Sequence, residues 1–586
     1  MEHDTIVGRF FERAAATPDL PAVHYKQDVW TTLSWSAYAD RVRNFAAGLL
    51  ALGHPEGRPI AVLSFTRVEW CVAELAAMAL GGASAGIYTT SSAEEVRYVV
   101  EHSEAFVLVV ENRERWEKQV KPLQHAIPTL HRVILIEHDP TIDDEMVTSF
   151  AEVEELGRQA GQDGVEQRLA AVTPETIGVL IYTSGTTGPP KAVMLSHASM
   201  AYTASSLVQM FNGTSDDVML SYLPMAHVAE QLVSVLTPVT CGLQIYFAES
   251  LERLRENLLE ARPTLFLAVP RVWEKFHAAL TTKLDSATGL KAALLRWARR
   301  VGLEVGRRRS RGEAPGLLLG LQHALADRLV YSKIKRAVGF DRLRVAVSGA
   351  APISVDILET FLSLDVPIYE LYGMSENCAA TSVNRPGATR LGTVGPPFPA
   401  AQIKIAEDGE ILYRGGGTFS GYLKDEAATA ETLRDGWLYT GDLGELDDAG
   451  YLRITGRKKD LIITAGGKNI APQNIEELLK AIPLVAQAVC VGDRRKYIAA
   501  LLTLDPEKVP EGSTLEQLAG DAALRAELQA AVDAVNQRLA RVEQVKRFTV
   551  LPVEFTPESG ELTPTMKVKR NVVASRYSDQ IEALYV

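Results

Sequence analysis

Apolar runs of strand length alternate with amphipathic, helix-length stretches through the first third of the chain, and that rhythm fixes the fold class. Trp35 to Leu52 has helical periodicity and stops at Gly53, and Pro59 to Phe65 (PIAVLSF) is a short apolar run. Val68 to Leu80 is amphipathic again, Ala83 to Thr89 reads as strand, Glu94 to His102 as helix and Ala105 to Val110 as strand. Strands alternating with helices of this length imply βαβ units and a parallel sheet. The rhythm returns at Leu343 to Ser348, followed by the turn Gly349-Ala350-Ala351-Pro352-Ile353. Ser354 is placed to cap a helix presenting Ile357, Leu358, Phe361 and Leu362, and Val366 to Tyr369 reads as the next strand.

Further on the texture changes. From Gly409 to Gly456 short strands are separated by Gly and Asp, which predicts a β-rich subdomain. Beyond Asp460 come a strand (Leu461 to Thr464), a glycine turn, a helix from about Pro472 to before Pro483, a strand at Val485 to Val491, and helical spacing from Leu515 to Val542. The fold class expected is α/β: a large N-terminal domain of doubly wound βαβ lobes with a β-rich subdomain, then a small α+β C-terminal domain. A length of 586 residues exceeds what one core usually organises and agrees with at least two domains.

Charge and cysteine usage exclude several classes. The net charge of −12 argues against a protein that coats nucleic acid, because phosphates demand a basic surface. Cys71, Cys241, Cys378 and Cys490 lie far apart without CxxC or neighbouring His pairs, so they read as reduced thiols rather than zinc ligands. The acidic start Met1-Glu2-His3-Asp4 does not resemble a signal peptide, and no run of about 18 apolar residues offers a spanning helix. A cytoplasmic protein is expected. One segment departs from the acidic average: between Thr281 and Arg336, thirteen Lys or Arg face four acids, leaving +9 there and −21 elsewhere. Leu294, Leu295, Trp297, Val301 and Leu303 interleave with those charges, a pattern that suits peripheral contact with an anionic membrane or a solvated helical hairpin.

The most informative motif is Tyr182-Thr-Ser-Gly-Thr-Thr-Gly-Pro-Pro-Lys191, after the apolar run Ile177 to Ile181. Its four hydroxyls and two glycines give N–H and O–H donors that can surround phosphate oxygens, and Lys191 adds a point charge. It is not a Walker A loop: two prolines separate Gly188 from Lys191, and Ala192 replaces the Ser/Thr. Tyr372-Gly373-Met374-Ser375-Glu376 follows the expected strand Val366 to Tyr369 and places a ring and a carboxylate at the C-terminal edge of a sheet, where open α/β sheets bind ligands. A carboxylate beside polyphosphate suits Mg²⁺. Tyr439-Thr440-Gly441-Asp442 offers a second carboxylate for two ribose hydroxyls, and Gly456-Arg457-Lys458-Lys459-Asp460 sits where the texture changes.

These motifs, in this order, resemble the adenylate-forming superfamily of acyl-CoA synthetases, luciferases and adenylation domains, over nearly the whole chain. Within it the sequence is similar to bacterial long-chain fatty-acid–CoA ligases, on the basic insertion, Leu223-Pro224-Met225-Ala226-His227-Val228-Ala229-Glu230 and the ending Leu562 to Arg570. The ending departs from the widespread pattern: Met566 stands where a glycine usually precedes the catalytic lysine. The resemblance implies that Thr183, Ser184, Gly185, Thr186, Thr187, Gly188 and Lys191 hold the β- and γ-phosphates of ATP. Gly349, Ala350, Ala351, Glu370, Leu371 and Tyr372, with Gly373, would form the adenine slot. Ser375 would meet the α-phosphate, Glu376 would hold Mg²⁺, and Asp442 and Arg457 would grip the ribose. His227 would lie beside the substrate carboxylate, and Lys567 would be the catalytic lysine. Gly466, Gly467 and Lys468 would line the coenzyme A tunnel. The domains implied are 1–456, a hinge at 457–459 that includes Lys459, and a mobile 460–586.

The activity implied is adenylation of a fatty acid by ATP, then transfer to CoA. Other hydrophobic acids (medium-chain, aryl or sterol-type) remain open, as do acyl length and oligomeric state. A serine hydrolase needs Gly-x-Ser-x-Gly, and Gly373-Met374-Ser375-Glu376-Asn377 lacks the second glycine. A non-catalytic membrane scaffold is countered by the full polar set. An amino-acid adenylation domain is disfavoured by Val228, where an aspartate would grip an α-amine.

Overall fold

The computed structural model describes residues 4–26, 28–183, 189–510, 512–556, 559–563 and 567–586. The largest sheet has seven strands in the order Val147–Ser149, Arg132–Leu135, Val107–Val110, Ile60–Leu63, Ser84–Ile87, Ile177–Thr183 and Lys191–Ser196. All neighbours are parallel except the last pair. Alternate residues serve opposite faces: Val62 and Val109 pack with Val72 and Ala76 on one side, while Leu63 and Leu108 pack with Val96 and Val100 on the other. Helices therefore cover both faces, the doubly wound arrangement expected. The helix Trp35–Ala51 is capped by Ser34, and Ala93–Ser103 by a reciprocal Ser92 and Glu95 pair.

A second sheet sets the candidate site. Leu265–Ala268, Val345–Gly349 and Ile368–Tyr372 run parallel, with Ser382–Val383 antiparallel at the edge. Ala346 faces Trp273 and Phe361, whereas Val345 and Val347 face the main core. Ser354 caps the helix Val355–Ser363, which buries Ile357, Leu358, Phe361 and Leu362 as its periodicity predicts. The third strand differs from expectation: it spans Ile368–Tyr372, not Val366 to Tyr369. Pairing of Gly349 with Leu371 and of Tyr372 with Ser382 carries the ladder further, so Tyr372 is a strand residue rather than the start of the following loop.

The β-rich region is a five-stranded sheet that begins earlier than expected, at Gln402–Ile405, and includes a helix at Glu426–Thr432. The C-terminal part carries a separate three-stranded sheet (Val485–Val491, Ile498–Leu504, Val545–Leu551) with its own core. Its expected long helix from Leu515 to Val542 is two helices, Leu515–Ala519 and Ala522–Asn536, because Asp521 turns out of the first and caps the second through the Leu524 N–H. The strand expected at Leu461 to Thr464 is shortened to Ile462–Ile463.

The basic segment folds into helices: the end of Pro270–Asp285, then Gly289–Ser310 packed antiparallel on Leu317–Ala326, a π-type turn Asp327–Tyr331, and Ser332–Ala337. Ala298, Val301, Val305, Ala326, Val330 and Tyr331 form its own small core. No helix among the described residues is long and apolar enough to cross a membrane.

Candidate active site

The strands Val345–Gly349 and Ile368–Tyr372 end side by side, so Gly349, Ala350 and Ala351 neighbour Glu370, Leu371 and Tyr372, as one slot requires. A Cβ on Gly349 would stand 3.2 Å from the Leu371 carbonyl oxygen. Ala350 is held at φ 69°, a left-handed conformation that costs a non-glycine residue energy and tends to occur at functional sites. Glu370 is buried, and burial pushes its pKa up to about 8 although the Gly392 N–H donates to it. Near pH 7 it is largely neutral.

Tyr372 donates its hydroxyl to Asp442 Oδ2 at 2.6 Å, and Arg457 Nε reaches Asp442 Oδ1 at 3.2 Å. Asp442 and Arg457 face each other across neighbouring strands. Gly373 permits the next turn, since a Cβ there would lie 2.2 Å from the Ala379 carbonyl carbon. The short turn Ser375–Asn377 then buries Glu376, whose Oε1 accepts the Tyr422 hydroxyl at 2.7 Å. Glu376 Oε2 has no partner among the described residues.

Tyr422 is a functional residue that the motifs did not reveal. Its segment is woven into two others: the Phe419 N–H donates to the Glu376 carbonyl, the Met194 N–H to the Gly421 carbonyl and the Leu423 N–H to the Ala192 carbonyl. Lys191 Nζ lies 5.0 Å from the centre of the Tyr422 ring and 3.9 Å from Asp425 Oδ2. Thr183 pairs with Lys191 at the mouth of the loop between them. Ser184, Gly185, Thr186, Thr187 and Gly188 lie outside the described residues, as does Met566.

His227 caps the helix Val228–Gln231 and accepts the Ala229 N–H on Nδ1 at 3.1 Å, which leaves the ring proton on Nε2. Burial, with the Lys567 cation adding to it, pushes its pKa down to about 3, so the ring is neutral. A buried polar set beneath it was also missed. Glu230 accepts the Leu223 N–H and the Ser234 hydroxyl, and Gln231 donates to the Met225 carbonyl and to Glu74. Burial pushes Glu230 up to about 8 and Glu74 up to about 7. The loop Leu223 to His227 is thereby tied down at its Leu223 N–H and its Met225 carbonyl. Polar residues inside a helix carry no periodic signal, so only their place after Pro-Met-Ala-His hinted at them.

Lys567 arrives from the C-terminal domain. Its backbone is fixed by Thr563, whose N–H donates to the Lys567 carbonyl and whose hydroxyl accepts the Lys567 N–H. Its ammonium pKa is lowered, by loss of water first and by the Arg457 and Lys459 cations, against the attraction of Asp442 and Glu376. Lys459 is lowered by the same means. The structure thus brings Lys567, Lys459, Arg457, Asp442, Glu376 and His227 into one electrostatic neighbourhood. It does not bring Gly466, Gly467 and Lys468 there. They form an exposed turn, with Gly467 at φ +73° and Lys468 bonded to Thr464 through its backbone.

Beside this cluster lies a narrow apolar cavity of about 60 Å³. Met219, Leu232, Val233, Thr237, Val345 and Val347 line it, and so do Leu207, Phe211, Leu265 and Leu371. Leu371 joins it to the slot at the strand ends.

Residues 10–423 match the AMP-binding enzyme family, and residues 459–586 match the C-terminal domain of AMP-binding enzymes. The chain belongs to this family. Among curated relatives, the Long-chain-fatty-acid--CoA ligase FadD15 of Mycobacterium bovis is 38% identical over the whole chain and 97% of its own length. The Long-chain-fatty-acid--CoA ligase ACSBG2 of Xenopus laevis is 35% identical over 99% of the chain and 84% of its own length. Among solved structures, the A domain of the carboxylic acid reductase from Segniliparus rugosus, in complex with AMP and a carboxylic acid, superposes with TM-score 0.77 at 21% identity, covering 99% of this chain and 94% of that one. The O-succinylbenzoate coenzyme A synthetase of Bacillus subtilis, in complex with AMP, gives 0.70 at 22% identity, over 97% and 98%. These two carry the fold.

For an AMP-binding enzyme the donor set suits magnesium. No group of three or more His, Cys, Asp or Glu able to hold a metal occurs among the described residues, and Glu376 Oε2 is a single free carboxylate oxygen. Mg²⁺ keeps waters and is commonly held by one or two carboxylates plus substrate phosphates, so one carboxylate fits.

Proposed function

We propose that this AMP-binding enzyme is a long-chain fatty-acid–CoA ligase that uses ATP, Mg²⁺ and coenzyme A. The observation that carries the reading is the meeting of Lys567, Glu376 and the Tyr372–Asp442–Arg457 set in a fold that also holds a mainly apolar cavity. In the first step a carboxylate oxygen of the acid bonds to the α-phosphorus of ATP, and the bond to the bridging oxygen breaks, releasing pyrophosphate. The α-phosphate gains negative charge during displacement, and the Lys567 ammonium is the mobile cation that offsets it. Glu376 and the substrate phosphates would hold Mg²⁺, which when bound supplies further charge neutralisation. Asp442 and Arg457 orient the ribose, and neutral His227 can donate from Nε2 to the substrate carboxylate without adding charge.

In the second step CoA, having lost its thiol proton, attacks the acyl carbonyl through sulfur, and the carbon–oxygen bond to AMP breaks. The exposed turn Gly466 to Lys468 would come to the site by rotation about residues 457–459, as Lys567 leaves. The domain limits proposed are 1–456 and 460–586. Long-chain acids partition into bilayers, so peripheral contact of 281–336 with the anionic inner face of a membrane belongs to the same reading. The test is thioester formation from fatty acids of graded length with ATP, Mg²⁺ and CoA. Turnover should peak with long chains, and a maximum at short or aryl acids would replace the substrate class.

A further inference from the structure

The charges of the basic segment are not all free. Arg307 pairs with Glu359, Arg308 with Glu304, Arg309 with Asp365 and Arg311 with Glu313. Lys335 and His323 also converge on Asp365. The arginine run that dominates the sequence is thus spent on ion pairs: Arg307 and Arg309 tie the hairpin to the helix Val355–Ser363 and the turn after it, and Arg308 and Arg311 pair within the hairpin. The unspent surface lies elsewhere. The helix Leu317–Ala326 and its π-type extension bury Leu319, Ala326, Val330 and Tyr331 on one side. On the other side, Leu317, Leu318, Leu321, Leu325 and Leu329 keep between 37% and 85% of their surface exposed. At 100° per residue these five fall within about one third of the helix circumference, a continuous stripe. Single exposed leucines are ordinary, but five in a row on one face mark a surface that something covers. Arg328, beside Leu329, and Lys333, in the next helix, are exposed and make no ion pair among the described residues, as are Lys291, Arg296 and Arg300 on the neighbouring helix Gly289–Ser310.

We propose that this leucine stripe is the element that enters an anionic lipid surface, with those five cations seated among the headgroups. The proposal rests on the membrane contact in the functional reading and names its surface. Charge complementarity selects the occupant: an apolar stripe in one helical hairpin with exposed, unpaired Lys and Arg, on a chain otherwise strongly acidic, matches acyl chains under negative headgroups. A second copy of the chain would instead bring five more unpaired cations against these, a repulsive arrangement. Long basic side chains can keep their charges at headgroup level while the leucines sit deeper.

The experiment is co-sedimentation of the full chain with phosphatidylglycerol–phosphatidylcholine vesicles and with phosphatidylcholine alone, without ATP or CoA. The variant Leu317→Ser/Leu321→Ser/Leu325→Ser should bind at least tenfold more weakly to anionic vesicles. Arg296→Gln/Arg300→Gln/Lys333→Gln should lose roughly fivefold per residue on anionic vesicles and flatten the salt dependence. Arg307→Gln/Arg311→Gln should bind nearly as the parent does, because those charges are already paired. Absence of parental binding at low salt, or unchanged binding of the leucine variant, overturns the proposal. So does a leucine variant that loses concentration-dependent self-association in sedimentation velocity while keeping vesicle binding, which assigns the stripe to a second copy. Ligase turnover with albumin-delivered fatty acid decides the functional reading separately, and the leucine variant should retain it.

Discussion

Asp442 and Lys567 lie within electrostatic reach of one another and are held in opposite ways. Asp442 is gripped at both oxygens, by Tyr372 and by Arg457, on paired strands of the large part of the chain. The Lys567 ammonium has no hydrogen-bond partner among the described residues, and its pKa is lowered by burial first and then by the cations Arg457 and Lys459. Ties that cross to the C-terminal domain among the described residues include Arg271 to Asp505 at 3.5 Å and Arg538 to Asp356 at 3.9 Å. The contrast separates preorganised from delivered groups. On the proposed reading, the ribose-facing groups would be positioned before the nucleotide comes, whereas the cation that answers the transition state would be carried in.

The sharpest break of that comparison is Lys567→Ala. Adenylate formation should fall by about 10² to 10³. Thioester formation from presynthesised acyl-adenylate and CoA should stay near the parental rate, because no charge grows on the α-phosphate in that step. Equal loss of both half-reactions in a folded protein would mean one fixed site serves both. Next is the carboxylate that Tyr422 aims. Tyr422→Phe should weaken Mg²⁺ affinity by about 10- to 100-fold, read by metal titration of the ATP-bound protein as well as by rate. Glu376→Gln should do at least as much. Unaltered metal titration in both variants would remove Glu376 from the metal site. Tyr372→Phe frees one oxygen of Asp442 and should raise the ATP dissociation constant about tenfold, the usual worth of a hydrogen bond to a charged group. No change in nucleotide affinity would show that Arg457 alone fixes the carboxylate.

The smallest effect concerns the buried ties under His227. Glu74 and Glu230 have folded-state pKa values of about 7 and about 8, raised by burial from the model-peptide value of 4.5. Their contribution is complete below about pH 4.5 and is lost as pH climbs towards 8, because the unfolded chain sheds those protons first. Melting temperature should therefore decline by a few degrees across this range. Glu230→Gln, which mimics the protonated acid, should flatten about half of that decline. A slope identical in parent and variant would put the titration elsewhere.

Much of the scaffold was legible because short apolar runs such as Ile60–Leu63 and Val107–Val110 have one sensible place, a buried parallel sheet. Motif residues were legible where glycine or a carboxylate had a chemical reason to stand at a turn, as at Gly373 and Asp442. Tyr422 was not, because its hydroxyl serves a carboxylate 46 positions away and nothing local betrays that. Glu74, Glu230 and Gln231 hid for a related reason: helical patterning counts polar residues as surface. The basic segment shows the limit of counting charge along a chain. Asp365 and Glu359, which neutralise much of it, lie beyond its ends, so the sum of +9 overstated the free charge while the leucine stripe passed unnoticed.

Thr183 and Lys191 are the ends of two antiparallel strands, and the next helix begins only at His197. On the proposed reading, Lys191 would meet a polyphosphate from a strand end, not from the N-terminus of the helix His197–Phe211; a helix N-terminus is the device that anchors phosphates in many nucleotide sites. The cations that would then meet its charge are separable: Lys191 on the strand, a metal beside Glu376, and Lys567 on the C-terminal domain. Such a seat can be dismantled one cation at a time. On that reading, withdrawal of Lys567 would do more than admit the thiol, since it would also loosen the grip on pyrophosphate and make product departure and domain rotation parts of a single event.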